Sequence, residues 1–224
     1  MRNSKIKVII INVFEKDDSS AIIKAMDLDG IKYFYAKGFF KPNNKNRKNI
    51  SIGSEVEVEV LPKYTLNNRY FLKKAHLINR INLEDDVNKQ FLARIFSLFQ
   101  KIEQVNQELF WTYSNFLNNW DRDKLAWFIT FFYKKILDAN NKKLNFISCV
   151  VCNSNQRLYA FNWEEGGFFC FDHHLKNQRS NETKLHKLKS YYSLSQKIDD
   201  YFLSTNPESN KEIFQVLETF DNTY

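Results

Sequence analysis

No apolar run in this 224-residue chain approaches the roughly 20 residues needed to cross a bilayer. The longest near the start, Val8-Ile9-Ile10-Ile11, is too short for a secretory leader core, and no small-residue cleavage site follows it. The expectation is a soluble, cytoplasmic protein with no membrane partner. A G-x4-G-K phosphate loop is also missing, which argues against an intrinsic ATP-driven role. None of the four histidines has Glu two residues on, so the H-x-E signature of zinc deaminases is absent. No Ser/His/Asp arrangement stands in a recognisable context. An enzyme is therefore not expected. Glycine and proline are scarce, at five and three, while Lys, Asn, Ile and Phe are abundant. Such skew often reflects an AT-rich genome, so a single Lys or Asn carries little functional weight.

What is present is charge in one place. The chain carries a net charge of +7; residues 1–80 hold sixteen Lys/Arg against eight Asp/Glu, and the other residues hold seventeen against eighteen. A local excess of that sign attracts polyanions through counterion release, which makes nucleic acid the first partner to consider.

The same 80 residues read as five strands. Ser4 to Glu15 is rich in Ile and Val, Ala21 to Leu28 follows, and Asp29-Gly30 signals a tight hairpin turn into Ile31 to Lys37. Glu55 to Val60 alternates strictly, placing three valines on one face and three carboxylates on the other. Arg69 to Leu77 completes the set. Five short strands suit a small barrel of the OB type, although an SH3-like barrel fits the count as well. Lys37, Lys41, Lys45, Arg47 and Lys48 surround an Asn-rich loop and form the candidate phosphate clamp. Lys73 and Lys74 on the fifth strand rank second, because alternation should send them to opposite faces. Phe39, Phe40, Tyr64 and Tyr70 are candidates for stacking bases, with one of Phe39 and Phe40 expected inside the barrel.

From residue 82 the period becomes helical. Phe91, Ile95, Leu98, Phe99 and Ile102 make one stripe, and Leu109, Phe110, Tyr113, Phe116 and Leu117 a second. Asp121 is the expected N-cap of a third helix carrying Leu125, Phe128, Ile129, Phe132, Ile136 and Leu137. Leu185, Leu188, Tyr192, Ser195 and Ile198 suggest a further helix. A last one should begin at Asn206-Pro207 and bury Ile213, Val216, Leu217 and Phe220. The domain reading is 1–80 for the barrel and 81–224 for a helical domain, with a zinc-binding segment at 146–175.

That segment holds all three cysteines. Cys149-x2-Cys152 is followed by Cys170-x2-His173, the two-knuckle spacing of a tetrahedral zinc site, with His174 an alternative fourth ligand. Four protein ligands leave no open position, so one zinc ion here would be structural. An intracellular disulfide is the weaker reading, and three cysteines cannot pair completely. His76 and His186 read as surface or packing residues. Gly166-Gly167 should permit a positive-φ turn back to the second knuckle.

Barrel, helices and embedded knuckle, in that order, resemble the RecO family of bacterial recombination mediators. Tyr35-Ala36-Lys37-Gly38 followed by Lys41-Pro42 is similar to that family's A-K-G-x-x-K/R-P segment. The run from Tyr159 to Cys170, with Gly166-Gly167 near its end, is similar to its F-S-P-x-x-G-G-x-x-C stretch. Trp163 departs from the usual Pro, and His173 stands where many relatives have a fourth Cys. The resemblance implies an α+β protein that binds single- and double-stranded DNA, anneals complementary strands, and is associated with the nucleoid. It also implies partnership with RecR, with single-strand-binding protein and, functionally, with RecA. Composition alone leaves open an RNA-binding role or an adaptor that docks protein.

Overall fold

Period-two alternation builds most of the first compact unit, Met1–Asp121, and helical spacing most of the second, Arg122–Tyr224. The computed structural model describes residues 4–61, 69–162, 165–175 and 188–223. Tyr64, Trp163, Leu185 and His186 lie outside the described residues.

In the first unit β1 (Ser4–Glu15), β2 (Ala21–Asp27), β3 (Gly30–Ala36), β4 (Glu55–Val60) and β5 (Arg69–Asn79) close into a barrel in the order β1-β2-β3-β5-β4. Only the β3–β5 seam is parallel. Twelve residues let β1 pair with both β2 and β4, and an irregularity between Ile10 and Asn12 turns it from one partner to the other. Inward residues Val8, Ile10, Ile23, Phe34, Val56, Val58 and Ala75 fill the interior. This is the five-stranded OB-type barrel expected.

Two local expectations need correcting. The hairpin turn is Leu28–Asp29 rather than Asp29–Gly30: Asp27 pairs with Gly30, and Asp27 Oδ1 accepts from the N–H groups of both Asp29 and Gly30. Gly30 opens β3 at φ 139°, a conformation that favours glycine. Nor are all three β4 carboxylates outside. Glu55 is fully buried, because the helix that carries Ser114 covers this end of the strand; its Oε1 accepts from Ser114 Oγ at 2.6 Å and pairs with Lys7 Nζ at 2.7 Å.

Helices α1 (Asp86–Gln100) and α2 (Gln107–Asn118) complete this unit, capped by Asp85 and Asn106, whose side chains accept from Val87 N and Leu109 N. Both predicted stripes are buried. Polar ties hold the helices to the barrel: Tyr113 Oη donates to Gly53 O, and Asn79 Nδ2 to Leu117 O.

The second unit begins with a 3-10 turn, Arg122–Lys124, and α3 starts only at Leu125, running to Ala139. Asp121 therefore precedes that turn instead of capping the α-helix, and Lys124 at the N-cap position makes no side-chain cap. Nearly every face of α3 is buried, as befits a central helix. Against it pack α6 (Ile198–Ser204) and α7 (Pro207–Thr223), and α5 (Leu188–Leu194) packs on α6. Asn206 Oδ1 accepts from Ser209 N, so α7 starts where expected, and Ile213, Val216, Leu217 and Phe220 are buried. The stripe proposed through Tyr192 is displaced. The helix stops at Leu194, Tyr192 is exposed, and Ser190, Tyr191, Ser193 and Leu194 are buried.

A small sheet absent from the sequence reading sits between α3 and α5 in the chain. Strands β6 (Asn145–Cys149), β7 (Leu158–Asn162) and β8 (Gly167–Cys170) pair in the order β6-β8-β7, followed by the single turn α4 (Phe171–His174). Phe146, Phe161 and Phe168 pack around Tyr191 with ring centroids 5.2–5.8 Å apart. Phe169 packs instead with Cys149 and Cys170.

Candidate functional site

The basic loop between β3 and β4 is held in place by its asparagines. Asn44 Nδ2 donates to Gly38 O, and Asn44 Oδ1 accepts from Asn46 N. Asn46 then reaches β5, accepting from Ala75 N at 2.9 Å, while Asn49 Nδ2 donates to Ala75 O at 2.8 Å. These bonds bring residues 45–48 beside Lys73–Ala75. Lys37, Lys41, Lys45, Arg47 and Lys48 are all exposed.

Lys73 and Lys74 are exposed together, which corrects the expectation of opposite faces. Val60 pairs with Leu72 but Glu59 with Lys74, so Lys73 is the extra residue of a β-bulge. Leu72 and Ala75 point inward on either side, leaving both lysines outside. Glu59 lies between two basic side chains, 3.6 Å from Lys73 Nζ and 3.6 Å from His76 Nε2. Burial works against its charged form, but Lys73, His76 and Lys74 outweigh that and hold the carboxyl below its ordinary range.

Of the aromatic candidates, Phe39 is in the barrel core, Phe40 is half-buried and edge-on to it, and Tyr70 stacks inward on Phe34. Tyr33 and Phe71, both 37% exposed, were not among the candidates. The alternation of Tyr33, Phe34, Tyr35 and Ala36 was the signal available: two rings must face out if Phe34 faces in.

In the second unit the four predicted ligands converge. His173 Nδ1 lies 3.2 Å from Cys170 Sγ and 3.6 Å from Cys149 Sγ, and Cys152 Sγ is 3.9 Å from Cys170 Sγ. All four donor atoms fall within 4.8 Å of one another. Tetrahedral zinc with bonds of about 2.3 Å to sulfur and about 2.0 Å to nitrogen needs edges of about 3.5–3.8 Å, so the set fits the ion. Cys170 precedes α4 and His173 follows three residues on, which is the spacing that stacks two side chains on one helical turn. His174 turns elsewhere, its ring 4.6 Å from that of Tyr159.

Local backbone shapes the first knuckle. Asn153, at φ 57°, donates its N–H to Cys149 O, and Cys149 N donates to Ser154 O. Burial pushes the Cys149 thiol up, but hydrogen bonds from the backbones of Cys152, Cys170 and Val151 more than reverse this and bring it down to about 6. A sulfur so supplied with donors is prepared to be a thiolate ligand.

Gly166 has the positive φ expected, 62°, whereas Gly167 is required for space. A Cβ on Gly167 would collide with Val150 Cγ1 and lie 3.0 Å from Asn145 O, where β6 and β8 meet. Gly167→Ala should therefore destabilise the protein by about 1–3 kcal/mol, the usual cost of overpacking, with a lower denaturation midpoint as the readout.

Residues 90–224 match the family model described as recombination protein O, C-terminal. The match spans more than half of the chain and includes the whole knuckle. No curated protein matches the sequence. Among the described residues no helix is long and apolar enough to cross a membrane.

Proposed function

The chain belongs to the RecO family of recombination proteins, and from that premise we propose that it is a mediator that binds single- and double-stranded DNA and anneals complementary strands. It acts without a catalytic group of its own. The observation that carries the reading is the stapling of the basic loop onto bulged β5, which gathers Lys45, Arg47 and Lys48 near Lys73 and Lys74. Lys37 and Lys41 extend this cationic surface at the loop's other end. Two strands repel each other through their phosphates; a surface that neutralises both lets base pairing select the partner. In the same reading the protein works with RecR to load RecA onto DNA coated by single-strand-binding protein.

A zinc ion would be held by Cys149, Cys152, Cys170 and His173, supplying folding energy to the β6–β8 segment. With every position filled by protein, it would offer substrate no coordination site.

The test is annealing of complementary oligonucleotides followed by energy transfer between end labels, with and without single-strand-binding protein. The expected result is acceleration over the spontaneous rate at about 50 mM salt that fades toward about 200 mM, since phosphate contacts weaken steeply over that range. No acceleration at low salt would remove the annealing claim.

A further inference from the structure

Proteins exposing aromatic rings on a strand face leave apolar area in water that could have been buried, and the β3–β5 seam does this twice. Parallel pairing sets Tyr33 opposite Arg69 and Tyr35 opposite Phe71, while Phe34 and Tyr70 turn inward and stack at 5.5 Å. The outward face is thus a two-by-two array of three rings and a guanidinium. Tyr35 and Phe71 meet edge to face at 5.1 Å, and Lys16 Nζ sits 4.4 Å from the Tyr35 centroid. Further along β5 the same side carries exposed Lys73. Flat apolar surfaces bordered by cations suit a ligand that is itself flat, apolar and strung on an anionic backbone.

We propose that this face is a base-stacking platform for single-stranded DNA, with Tyr33 and Phe71 as the stacking rings and Arg69 and Lys16 as flanking phosphate contacts. The proposal rests on the DNA-binding reading above and adds a strand preference to it. Spacing supplies the argument. Tyr33 and Phe71 are offset by two residues along the strands and one strand across, about 8 Å between Cα atoms at ordinary sheet dimensions. Bases in a duplex strand rise by about 3.4 Å per step and present edges rather than faces. A strand can lay one base on each ring only if its bases are splayed, which a paired duplex forbids. The basic loop, by contrast, can meet phosphates of either form. Discrimination thus falls to the rings and general affinity to the lysines.

The experiment uses the full chain with Tyr33→Leu and Phe71→Leu, which keep apolar bulk but remove the ring, and Tyr33→Trp and Phe71→Trp, which restore one. Binding is followed by anisotropy of labelled oligothymidylate and of a duplex of equal length. Each leucine variant should bind the single strand at least about five-fold more weakly, from the worth of one base–aromatic stack. Duplex affinity and salt dependence should hold, and the tryptophan variants should recover single-strand binding. Circular dichroism establishes that each variant is folded, and a variant that is not is replaced by its methionine counterpart. Leucine variants that lose neither ligand, or both equally, overturn the platform and leave the DNA-binding reading standing. Wild-type protein that binds neither ligand overturns both.

Discussion

Zinc removal, by Cys149→Ser combined with Cys170→Ser, should leave the second unit without a stable β6–β8 sheet. Cys149 and Cys170 are buried, and among the described residues the apolar cluster around them contains only Phe169 with partial cover from Val150 and Leu158. Beyond the packing of Phe146, Phe161 and Phe168 around Tyr191, this cluster adds little against the conformational entropy of ordering some thirty residues at about 1–2 kcal/mol each for the backbone. Structural zinc contributes about 10–16 kcal/mol to folding in small finger peptides, comparable with the whole net stability of a domain, about 5–15 kcal/mol. The expected results are about one zinc per wild-type chain by elemental analysis, well under one in the double variant, and a melting temperature at least about 15 °C lower. A chelator added to the wild type should reproduce the change. If the purified, reduced wild type contains no zinc, or if melting ignores the chelator, the four-ligand site has no structural role.

Reversing Lys45, Arg47 and Lys48 together to glutamate should cost more DNA affinity than any change to the aromatic face. The three lie in the loop that Asn46 and Asn49 fasten to β5, and all are exposed, so substitution leaves the barrel core intact. The choice also spares the Lys73–Glu59 pair. Each lost phosphate contact removes about 0.7–0.9 from the slope of log affinity against log salt, so three contacts should lower it by about 2. At about 50 mM salt the loss for single-stranded and duplex DNA alike should reach at least about 100-fold, and annealing should fall with it. Unchanged affinity would transfer the main role of the chain to protein docking.

The sequence revealed most where one physical rule acted alone. Strict alternation marked β4, and i, i+4 spacing marked α1, α2 and α7, because a single buried face dictates the pattern in each. Cysteine spacing anticipated that Cys149, Cys152, Cys170 and His173 would converge, since few other arrangements require that interval. Misreadings arose where tertiary contact decided. Glu55 looks like its neighbours Glu57 and Glu59 until α2 is laid over it. Residues 167–170 are buried on both faces, so β8 shows no alternation to read. Tyr191 and Tyr192 are equivalent in composition, and only the cluster of Phe146, Phe161 and Phe168 determines which is buried. The asparagines discounted as compositional bias proved to be the fasteners of the basic loop. The Lys73 bulge had no local signature at all.

Glu59 gives the barrel an internal competitor. Its carboxylate occupies Lys73 and His76 before any outside anion arrives. A lone phosphate in solution must displace that tethered rival at its own modest concentration. A polymer already anchored at the loop delivers its next phosphate at a far higher effective concentration. On the proposed DNA-binding reading the acid sets a threshold that disfavours scattered small anions more than a long chain of charges.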